Sequence, residues 1–226
     1  MAQNAAAPAL VVAIVGAEST GKTALAQALA QRITEDTGLR ATWVPEQLRL
    51  WCDREGRTPR PDEQASIAAL QRAAVEAATA DHDVVLADTT PLMTAVYSLH
   101  LFQDNSLTAE ALAWQQSCTL TLLTALDLPW VADGLQRDGP HVRAPIDTLV
   151  RSLLIGQGLN WSLVSGQGEA RVQQALDALA PWLRQRPAPR RGLFTRLAER
   201  NAHDRPWTCE HCDDPGCEHR SWQQRR

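Results

Sequence analysis

The chain has 226 residues, of which 44% are hydrophobic and 21% are charged, so it is long enough for one globular domain with a buried core. It contains no run of 18 apolar residues, which excludes a predicted transmembrane helix. The net charge of −4 is unevenly distributed, because residues 184–226 carry ten arginines and six acidic residues. A basic end on an acidic body predicts two separate parts.

The first predicted element is an apolar strand at residues 10–15, whose β-branched side chains are typical of a central parallel strand. The alanine-rich residues before it lack the basic region of a signal peptide and are interpreted as a short lead into the strand. A helix is predicted at residues 24–33, stopping near Gly38. Between strand and helix, residues 16–23 read Gly-Ala-Glu-Ser-Thr-Gly-Lys-Thr, with the spacing G-x-x-x-x-G-K-[ST] of a phosphate-binding loop.

This loop predicts a nucleotide site. Its glycines let backbone N–H groups turn inward, and the following helix N-terminus attracts anions. Lys22 is expected to reach the β- and γ-phosphates of ATP, and Thr23 to hold Mg²⁺. Lys22 is the only lysine in the chain. The alternative is a chance match in a Gly- and Ala-rich turn, against which the flanking strand and helix argue. The predicted nucleotide-binding residues are Gly16, Glu18, Ser19, Thr20, Gly21, Lys22 and Thr23.

Further strands and helices are predicted to alternate along the chain. Strands are expected at residues 41–46, 83–90, 120–126 and 160–165. Helices are expected at residues 63–80, 146–155 and 169–183, from Pro91 to about residue 102, and from a cap at Ser106 or Thr108 to residue 117. This alternation predicts an α/β fold of the P-loop NTPase type, with a doubly wound five-stranded parallel sheet. In such sheets ligands bind beyond the carboxyl ends of the strands.

Two acids follow predicted strands. Asp88 ends an apolar strand, as does the acid that holds Mg²⁺ in P-loop proteins; the alternative is a capping residue for the helix that begins at Pro91. Glu46 could orient an acceptor hydroxyl or take its proton. Arg49 could pair with the acceptor or with Glu46, and the alternative is a surface salt bridge on a helix.

The connection at residues 133–143 contains two glycines and two arginines. It predicts a lid that brings Arg137 or Arg143 onto the phosphates and expels water; the alternative is an ordinary surface loop. Trp51 and Trp130 could stack on a flat ring of the substrate, although tryptophans are more often core residues.

The C-terminal part is predicted to consist of an Arg- and Pro-rich linker at 184–206 and a Cys/His-rich tail at 207–226. In structural zinc sites, Zn²⁺ is bound tetrahedrally by four cysteine or histidine side chains. The alternatives are redox or disulfide pairing of the cysteines, or a tail that binds no ligand. Five cysteines and no secretion pattern favour a cytoplasmic protein. The candidate zinc ligands are Cys209, Cys212, Cys217 and His219.

Four motifs together resemble the nicotinamide-riboside kinase (NadR-type) branch of P-loop proteins. The loop GAESTGKT resembles that family's G-x-E-S-[ST]-G-K-[ST]. The other three follow in the family's order over about residues 10–183: Pro45-Glu46 with Arg49, Ala87-Asp88-Thr89, and the segment from Trp130 to Arg137. Two features depart from the family pattern, because Arg137 stands one position late and the Cys/His-rich tail has no counterpart.

The resemblance implies an ATP- and Mg²⁺-dependent kinase that phosphorylates the 5′-hydroxyl of a nucleoside-like substrate, nicotinamide riboside first. It implies catalytic roles for Lys22, Glu46, Asp88 and a lid arginine. The alternative is an ATP-binding regulatory module whose basic tail contacts a partner or nucleic acid. We expect a small-molecule partner rather than nucleic acid or a membrane, and the sequence is compatible with an oligomer.

Overall fold

Five short apolar segments form one parallel sheet in the computed structural model, which describes residues 7–132 and 139–186. The strands are β1 (Leu10–Val15), β2 (Ala41–Val44), β3 (Val84–Asp88), β4 (Leu120–Thr124) and β5 (Trp161–Val164). The helices of the described residues are α1 (Lys22–Thr37), α2 (Gln47–Glu55), α3 (Gln64–Ala78), α4 (Pro91–Phe102), α5 (Thr108–Gln115), α6 (Arg143–Gly156) and α7 (Gly168–Leu183).

The strand order is β2-β3-β1-β4-β5, with every neighbouring pair parallel. In the central strand β1, Ile14 pairs with Asp88 of β3 on one side and with Leu122 of β4 on the other. The carboxyl ends of β1, β3 and β4 therefore meet at one edge. The predicted doubly wound five-stranded parallel sheet is confirmed.

Alternate residues of β1 enter opposite layers of the core, as the two-residue repeat of a strand requires. Ala13 and Val15 belong to the apolar cluster that includes residues of α4 and α6. Val12 and Ile14 belong to the cluster on the opposite face, which includes residues of α1 and α7. Burial on both faces explains why this strand reads as an uninterrupted apolar run.

Several predicted boundaries differ from the structure. β2 ends at Val44 instead of residue 46, since Pro45 has no N–H to continue the ladder. Glu46 instead precedes helix α2, an element that the sequence analysis did not predict. The predicted cap of α5 is wrong, because Leu107 occupies that position and no side chain caps the helix.

α6 begins at Arg143, three residues before the predicted start, after a 3-10 turn at Pro140–Val142. Arg143 is therefore the first residue of a helix and not part of a loop. The lid positions 133–138, which include Arg137, lie outside the described residues.

The chain divides into two units, Met1–Pro187 and Ala188–Arg226. The predicted cysteine and histidine ligands fall in the second unit, outside the described residues. Within residues 7–132 and 139–186, no helix is long and apolar enough to cross a membrane.

Candidate active site

The loop between β1 and α1 turns back sharply at its two glycines. Gly16 has a φ of 147°, and a Cβ there would lie 2.1 Å from Oγ1 of Thr124, so only glycine fits against the end of β4. Gly21 has a φ of 73° and directly precedes α1. Ser19 also adopts a left-handed conformation, with a φ of 56°. The turn therefore requires the residues that the motif places there.

Threonine hydroxyls fix this loop to the sheet. Oγ1 of Thr20 donates to the carbonyl of Ala17 at 2.8 Å and lies 2.7 Å from Oγ1 of Thr124. Oγ1 of Thr124 also lies 3.1 Å from the carbonyl of Val15. Sequence reasoning missed Thr124, although its place at the end of a central strand marks it as a residue that faces the loop.

Lys22 lies across the phosphate-binding loop. Its Nζ donates to the carbonyl of Gly16 at 3.1 Å and to that of Ala17 at 2.9 Å. The ammonium thus lies against the loop and contacts two of its backbone oxygens. A phosphate oxygen carries more negative charge than these carbonyls and would bind the ammonium more strongly.

Thr23 and Asp88 meet at the same edge of the sheet. Oγ1 of Thr23 donates to Oδ2 of Asp88 at 2.5 Å. Asp88 is only 1% exposed, and its Oδ1 is buried without a hydrogen-bond partner among the described residues. Burial raises the pKa of Asp88, while the Thr23 hydrogen bond and the charges of Lys22 and Arg49 act to lower it.

These oxygens suit a magnesium ion. Mg²⁺ prefers carboxylate and hydroxyl oxygens, and the buried Oδ1 of Asp88 has a lone pair that the described residues do not use. The alternative role of Asp88 as a helix cap is wrong, because Thr90 occupies the N-cap position of α4.

Glu46 and Arg49 lie side by side at the start of α2. Nε of Arg49 is 3.9 Å from Oε2 of Glu46, and the two side chains are 37% and 20% exposed, respectively. Both border the same cleft as Lys22. The pair therefore borders the cleft, and its i,i+3 ion pair is also what the alternative of a salt bridge on a helix expects.

A cleft of about 690 Å³ runs from the phosphate-binding loop between α2 and α4. A volume of this size is typical of small-molecule sites. Its apolar walls come from two helices, and polar side chains border it at intervals. The apolar residues are Leu48, Cys52, Met93, Tyr97, Leu101 and Phe102, and the polar ones beyond the loop and the Glu46–Arg49 pair are Thr58, Gln64 and Thr89.

Thr89 is in a strained conformation at the base of this cleft. Its φ of 67° is rare for a β-branched residue. The backbone N–H of Thr89 donates to the carbonyl of Ile14 at 3.0 Å, which holds the residue in place. Strain of this kind concentrates at functional sites. Thr89 belongs to the Ala87-Asp88-Thr89 motif, which by itself predicts no role for this residue.

Glu18 and Ser19 connect the phosphate-binding loop to both ends of the predicted lid. Oε1 of Glu18 accepts hydrogen bonds at 3.0 Å from Nε1 of Trp130 and from the N–H of Gly139. Oγ of Ser19 accepts a hydrogen bond from the N–H of Val131 at 2.8 Å. These two variable loop positions therefore bind the segments on either side of residues 133–138.

Three further residues predicted for the site, Arg143, Trp130 and Trp51, each have a different environment in the structure. Nη2 of Arg143 donates to the carbonyl of Leu128 at 2.9 Å, so Arg143 holds the chain just before the lid. Trp130 is occupied by its bond to Glu18, and its stacking on a substrate stays a prediction. Trp51 packs in a small apolar cluster, with the guanidinium of Arg57 4.8 Å from the ring centroid, which supports the core interpretation.

Arg171 of α7 is a residue of the site that sequence reasoning missed. It is 5% exposed and donates to the carbonyl of Thr20 at 2.7 Å. It also donates to Oδ1 of Asp127 at 3.2 Å and to the carbonyl of Gly166 at 2.9 Å. One guanidinium thus joins the phosphate-binding loop, the end of β4 and the turn after β5. Nothing local in the sequence marks a residue whose partner is 151 positions away.

Over residues 7–132 and 139–186, no group of three or more histidine, cysteine or acidic side chains is arranged to hold a metal ion. The predicted ligands Cys209, Cys212, Cys217 and His219 lie outside that part of the chain, so the zinc site stays a prediction.

Solved structures with a similar fold include two NadR proteins. The NadR protein in complex with NR has a TM-score of 0.64 at 20% identity, covering 81% of this chain and 53% of its own. The NadR protein in complex with NAD and AMP-PNP has a TM-score of 0.59 at 21% identity, covering 77% of this chain and 50% of its own. This chain thus spans about half the length of either protein.

A thymidylate kinase from Ehrlichia chaffeensis also matches, with a TM-score of 0.55 at 13% identity, covering 76% of this chain and all of its own. At these identities the likeness shows the fold alone, an α/β fold with a parallel sheet. No curated protein matches the chain in sequence.

A family model described as an AAA domain matches residues 11–171, which include the phosphate-binding loop, Glu46, Asp88 and Arg171. This match covers well over half of the chain and contains every described residue of the site. The chain therefore belongs to this AAA-domain family of P-loop proteins.

Proposed function

We propose that this chain is a small-molecule kinase that transfers the γ-phosphoryl group of ATP to the hydroxyl of a nucleoside-like acceptor. The observation that carries the proposal is the continuity of the cleft. It begins at Lys22, passes the Glu46–Arg49 pair and continues between α2 and α4. A pure ATPase needs room for the nucleotide and a water molecule, whereas this cleft extends beyond the phosphate-binding loop between apolar faces of α2 and α4.

The nucleotide end of the site would be built from the phosphate-binding loop. Lys22 would exchange its two backbone carbonyls for phosphate oxygens and stabilise the charge on the transferring group. Thr23 and Asp88 would hold Mg²⁺, which supplies neutralisation of the phosphate charge when bound. Arg171 would keep the loop in position through the carbonyl of Thr20.

The acceptor end would be organised by Glu46. Its carboxylate borders the cleft at the start of α2, where it can accept the hydroxyl proton and aim the oxygen at the γ-phosphorus. As the new P–O bond forms, the bond to the β-phosphate oxygen breaks and ADP leaves. Arg49 would bind either the acceptor or Glu46, with which it already pairs. Arg137 as a phosphate-binding lid residue remains part of the proposal, whereas Arg143, at the start of α6, would have to exchange its hydrogen bond to the carbonyl of Leu128 for one to a phosphate oxygen.

Nicotinamide riboside is the first acceptor to test. The four sequence motifs resemble the nicotinamide-riboside kinase family, and a similar fold occurs in a NadR protein solved in complex with NR. The cleft also has the aromatic side chains Tyr97 and Phe102 that a flat ring could contact.

The direct experiment incubates the purified full chain with ATP, Mg²⁺ and a panel of nucleosides, and separates the products by chromatography. We expect the 5′-monophosphate of at least one nucleoside to form together with an equal amount of ADP. Formation of ADP at the same rate with and without every nucleoside would contradict the proposal and favour a regulatory ATPase.

A further inference from the structure

Gln64 is a buried polar side chain that borders the cleft and has no hydrogen bond to any described residue. It is the first residue of α3 and is only 4% exposed. Its carboxamide carries two N–H donors and one carbonyl acceptor. The polar atoms of Gln64 are not among the fully enclosed, unpaired atoms of the described residues, so they are accessible from the cleft and can bind what enters it.

Two other buried glutamines of the same region each have at least one hydrogen bond to the protein, although Nε2 of Gln71 is buried without a partner among the described residues. Oε1 of Gln71, two turns further along α3, accepts the N–H of Gln47 at 2.7 Å. Gln115 accepts from Thr90 at 2.7 Å and donates to Thr121 at 2.8 Å. The contrast shows that burial of a glutamine in this fold normally comes with a structural partner, which Gln64 lacks among residues 7–132 and 139–186.

The hydrogen bond between Gln71 and Gln47 also fixes where Gln64 lies along the cleft. It places the start of α2, with Glu46, level with Gln71. Gln64 precedes Gln71 by two helical turns, which is about 10 Å along the axis of α3. Glu46 and Gln64 therefore border the cleft at separate points, about 10 Å apart along the direction of α3.

The walls between these points suit a flat ring. Met93, Tyr97 and Leu101 follow one another at four-residue spacing and so share one face of α4. Leu48 and Cys52 have the same spacing on α2. A ring bounded by two such apolar faces keeps its polar edge in one plane, and Gln64 is the buried carboxamide available to that edge.

We propose that Gln64 is the residue that selects the acceptor's ring, through paired hydrogen bonds to an edge carrying an adjacent carbonyl and N–H. The inference rests on the proposed kinase function and specifies its substrate class: nucleosides whose flat ring presents an amide-like edge. The carboxamide of a pyridine nucleoside and the imide edge of a uracil or thymine nucleoside both present this pair. An acceptor without the N–H leaves the Gln64 carbonyl unpaired and is disfavoured.

The test compares two matched pairs of acceptors in the full-length wild type and in Gln64→Leu. Nicotinamide riboside is paired with nicotinic acid riboside, which has a carboxylate in place of the amide, and uridine is paired with 3-methyluridine, which lacks the N–H. We expect the wild type to prefer the amide-bearing member of one pair by at least about tenfold in kcat/KM, and the favoured pair identifies the ring. Gln64→Leu should abolish the preference, mainly by raising KM for the favoured acceptor about tenfold to a hundredfold.

Gln71→Leu is the matched control, because it removes a buried glutamine from the same helix. It should lower the melting temperature, since the N–H of Gln47 loses its acceptor, and leave the acceptor preference as in the wild type. Gln64→Leu should melt near the wild-type temperature. Melting curves therefore separate loss of recognition from loss of folding.

The outcomes also separate this inference from the proposed function. If the wild type phosphorylates nucleosides but shows no preference within either pair, or keeps its preference in Gln64→Leu, the role of Gln64 is wrong and the kinase function stands. If no nucleoside is phosphorylated, the kinase function is contradicted. The role of Gln64 in ring binding is then judged from the rise in melting temperature that each nucleoside causes. A shift by an amide-bearing nucleoside that Gln64→Leu abolishes supports the inference; no shift by any of the four overturns it.

Discussion

Lys22 is the residue on which phosphate chemistry in this chain depends most directly. Its ammonium contacts the backbone oxygens of Gly16 and Ala17 in the phosphate-binding loop. Replacement by alanine removes the positive charge that stabilises the transferring group. We expect Lys22→Ala to lower kcat by at least about a hundredfold, measured as acceptor monophosphate formed per minute.

Lys22→Arg is the informative companion variant. It keeps the charge but replaces a compact ammonium by a broad planar group. We expect little recovery of activity, with a melting temperature close to that of Lys22→Ala. Wild-type turnover by Lys22→Arg would show that charge alone suffices at this position.

The buried carboxylate of Asp88 should serve Mg²⁺ binding and, in its charged form, lower the stability of the folded protein. Its pKa is raised by burial, so the folded protein holds the proton more tightly than the unfolded chain does. As pH rises through the ordinary value of 3.8 and then through the raised folded pKa, the unfolded chain is the first to lose its proton. The contribution of Asp88 to the free energy of unfolding therefore falls between these two pKa values and stays low at neutral pH.

Asp88→Asn removes this cost, since Oδ1 of an asparagine can still accept the hydrogen bond from Thr23. In the absence of Mg²⁺ at pH 7, we expect the variant to melt at a higher temperature than the wild type and to have no kinase activity. The difference in melting temperature should shrink as the pH is lowered towards 4. A variant less stable than the wild type at pH 7 would show that the charged carboxylate stabilises the fold.

At the scale of the elements, the junction between β3 and α4 carries backbone strain at Thr89. A left-handed conformation costs a residue with a Cβ about 1–2 kcal/mol, and glycine avoids this cost. Thr89→Gly and Thr89→Ala both remove the hydroxyl, but only glycine relieves the strain. We expect Thr89→Gly to melt about 2–4 °C above Thr89→Ala. Equal melting temperatures would mean that Thr89 is not strained in solution.

α7 stabilises the phosphate-binding loop from the other side, through Arg171. Replacing Arg171 by methionine leaves Asp127 and the carbonyl of Thr20 without this donor. Loss of the donor to the buried carbonyl of Thr20 costs about 1–3 kcal/mol, which urea unfolding should detect. KM for ATP should also rise, because the loop is held less firmly. Arg171→Lys, which can keep one of the bonds, should recover part of both losses.

The sequence predicted the elements whose determinants are local. The order of strands and helices, the turn at Gly16 and Gly21, and the carboxylate at Asp88 each follow from a few neighbouring residues. α2 was missed because its apolar pattern, Leu48, Trp51 and Cys52, covers little more than one helical turn after Pro45. Its position nevertheless brings Glu46 and Arg49 to the cleft.

The missed residues depend on contacts between distant parts of the chain. Thr124 meets Thr20 across 104 positions, and Arg171 meets Thr20 across 151. Gln64 is recognised only when its burial and its neighbours are known. A single sequence shows that these residues are polar but not that the fold gathers them around one cleft.

At the scale of the whole molecule, the described residues that line the cleft belong to the first unit, whereas the Cys/His-rich residues belong to the second. If Cys209, Cys212, Cys217 and His219 hold a zinc ion, the purified full chain should contain about one zinc per molecule. Cys209→Ser with Cys212→Ser should remove it. Metal analysis by mass spectrometry gives the answer, and a zinc-free wild type purified without chelator would contradict the site.

Removal of residues 188–226 separates the two candidate functions. A kinase should retain kcat and KM for its acceptor within about twofold, because the cleft lies in residues before the cut. A regulatory module that acts through its basic tail should lose its partner. Loss of acceptor phosphorylation in a truncated protein that melts like the full chain would assign the tail a part in the active site.

The most direct test of the account is a stoichiometric measurement of phosphoryl transfer. Full-length protein is incubated with [γ-³²P]ATP, Mg²⁺ and nicotinamide riboside, with uridine in parallel, and labelled monophosphate and free phosphate are counted. The account predicts that label appears in an acceptor monophosphate, one per ADP formed, and that Lys22→Ala forms almost none. Label found only in free phosphate, at a rate independent of every acceptor, would contradict it.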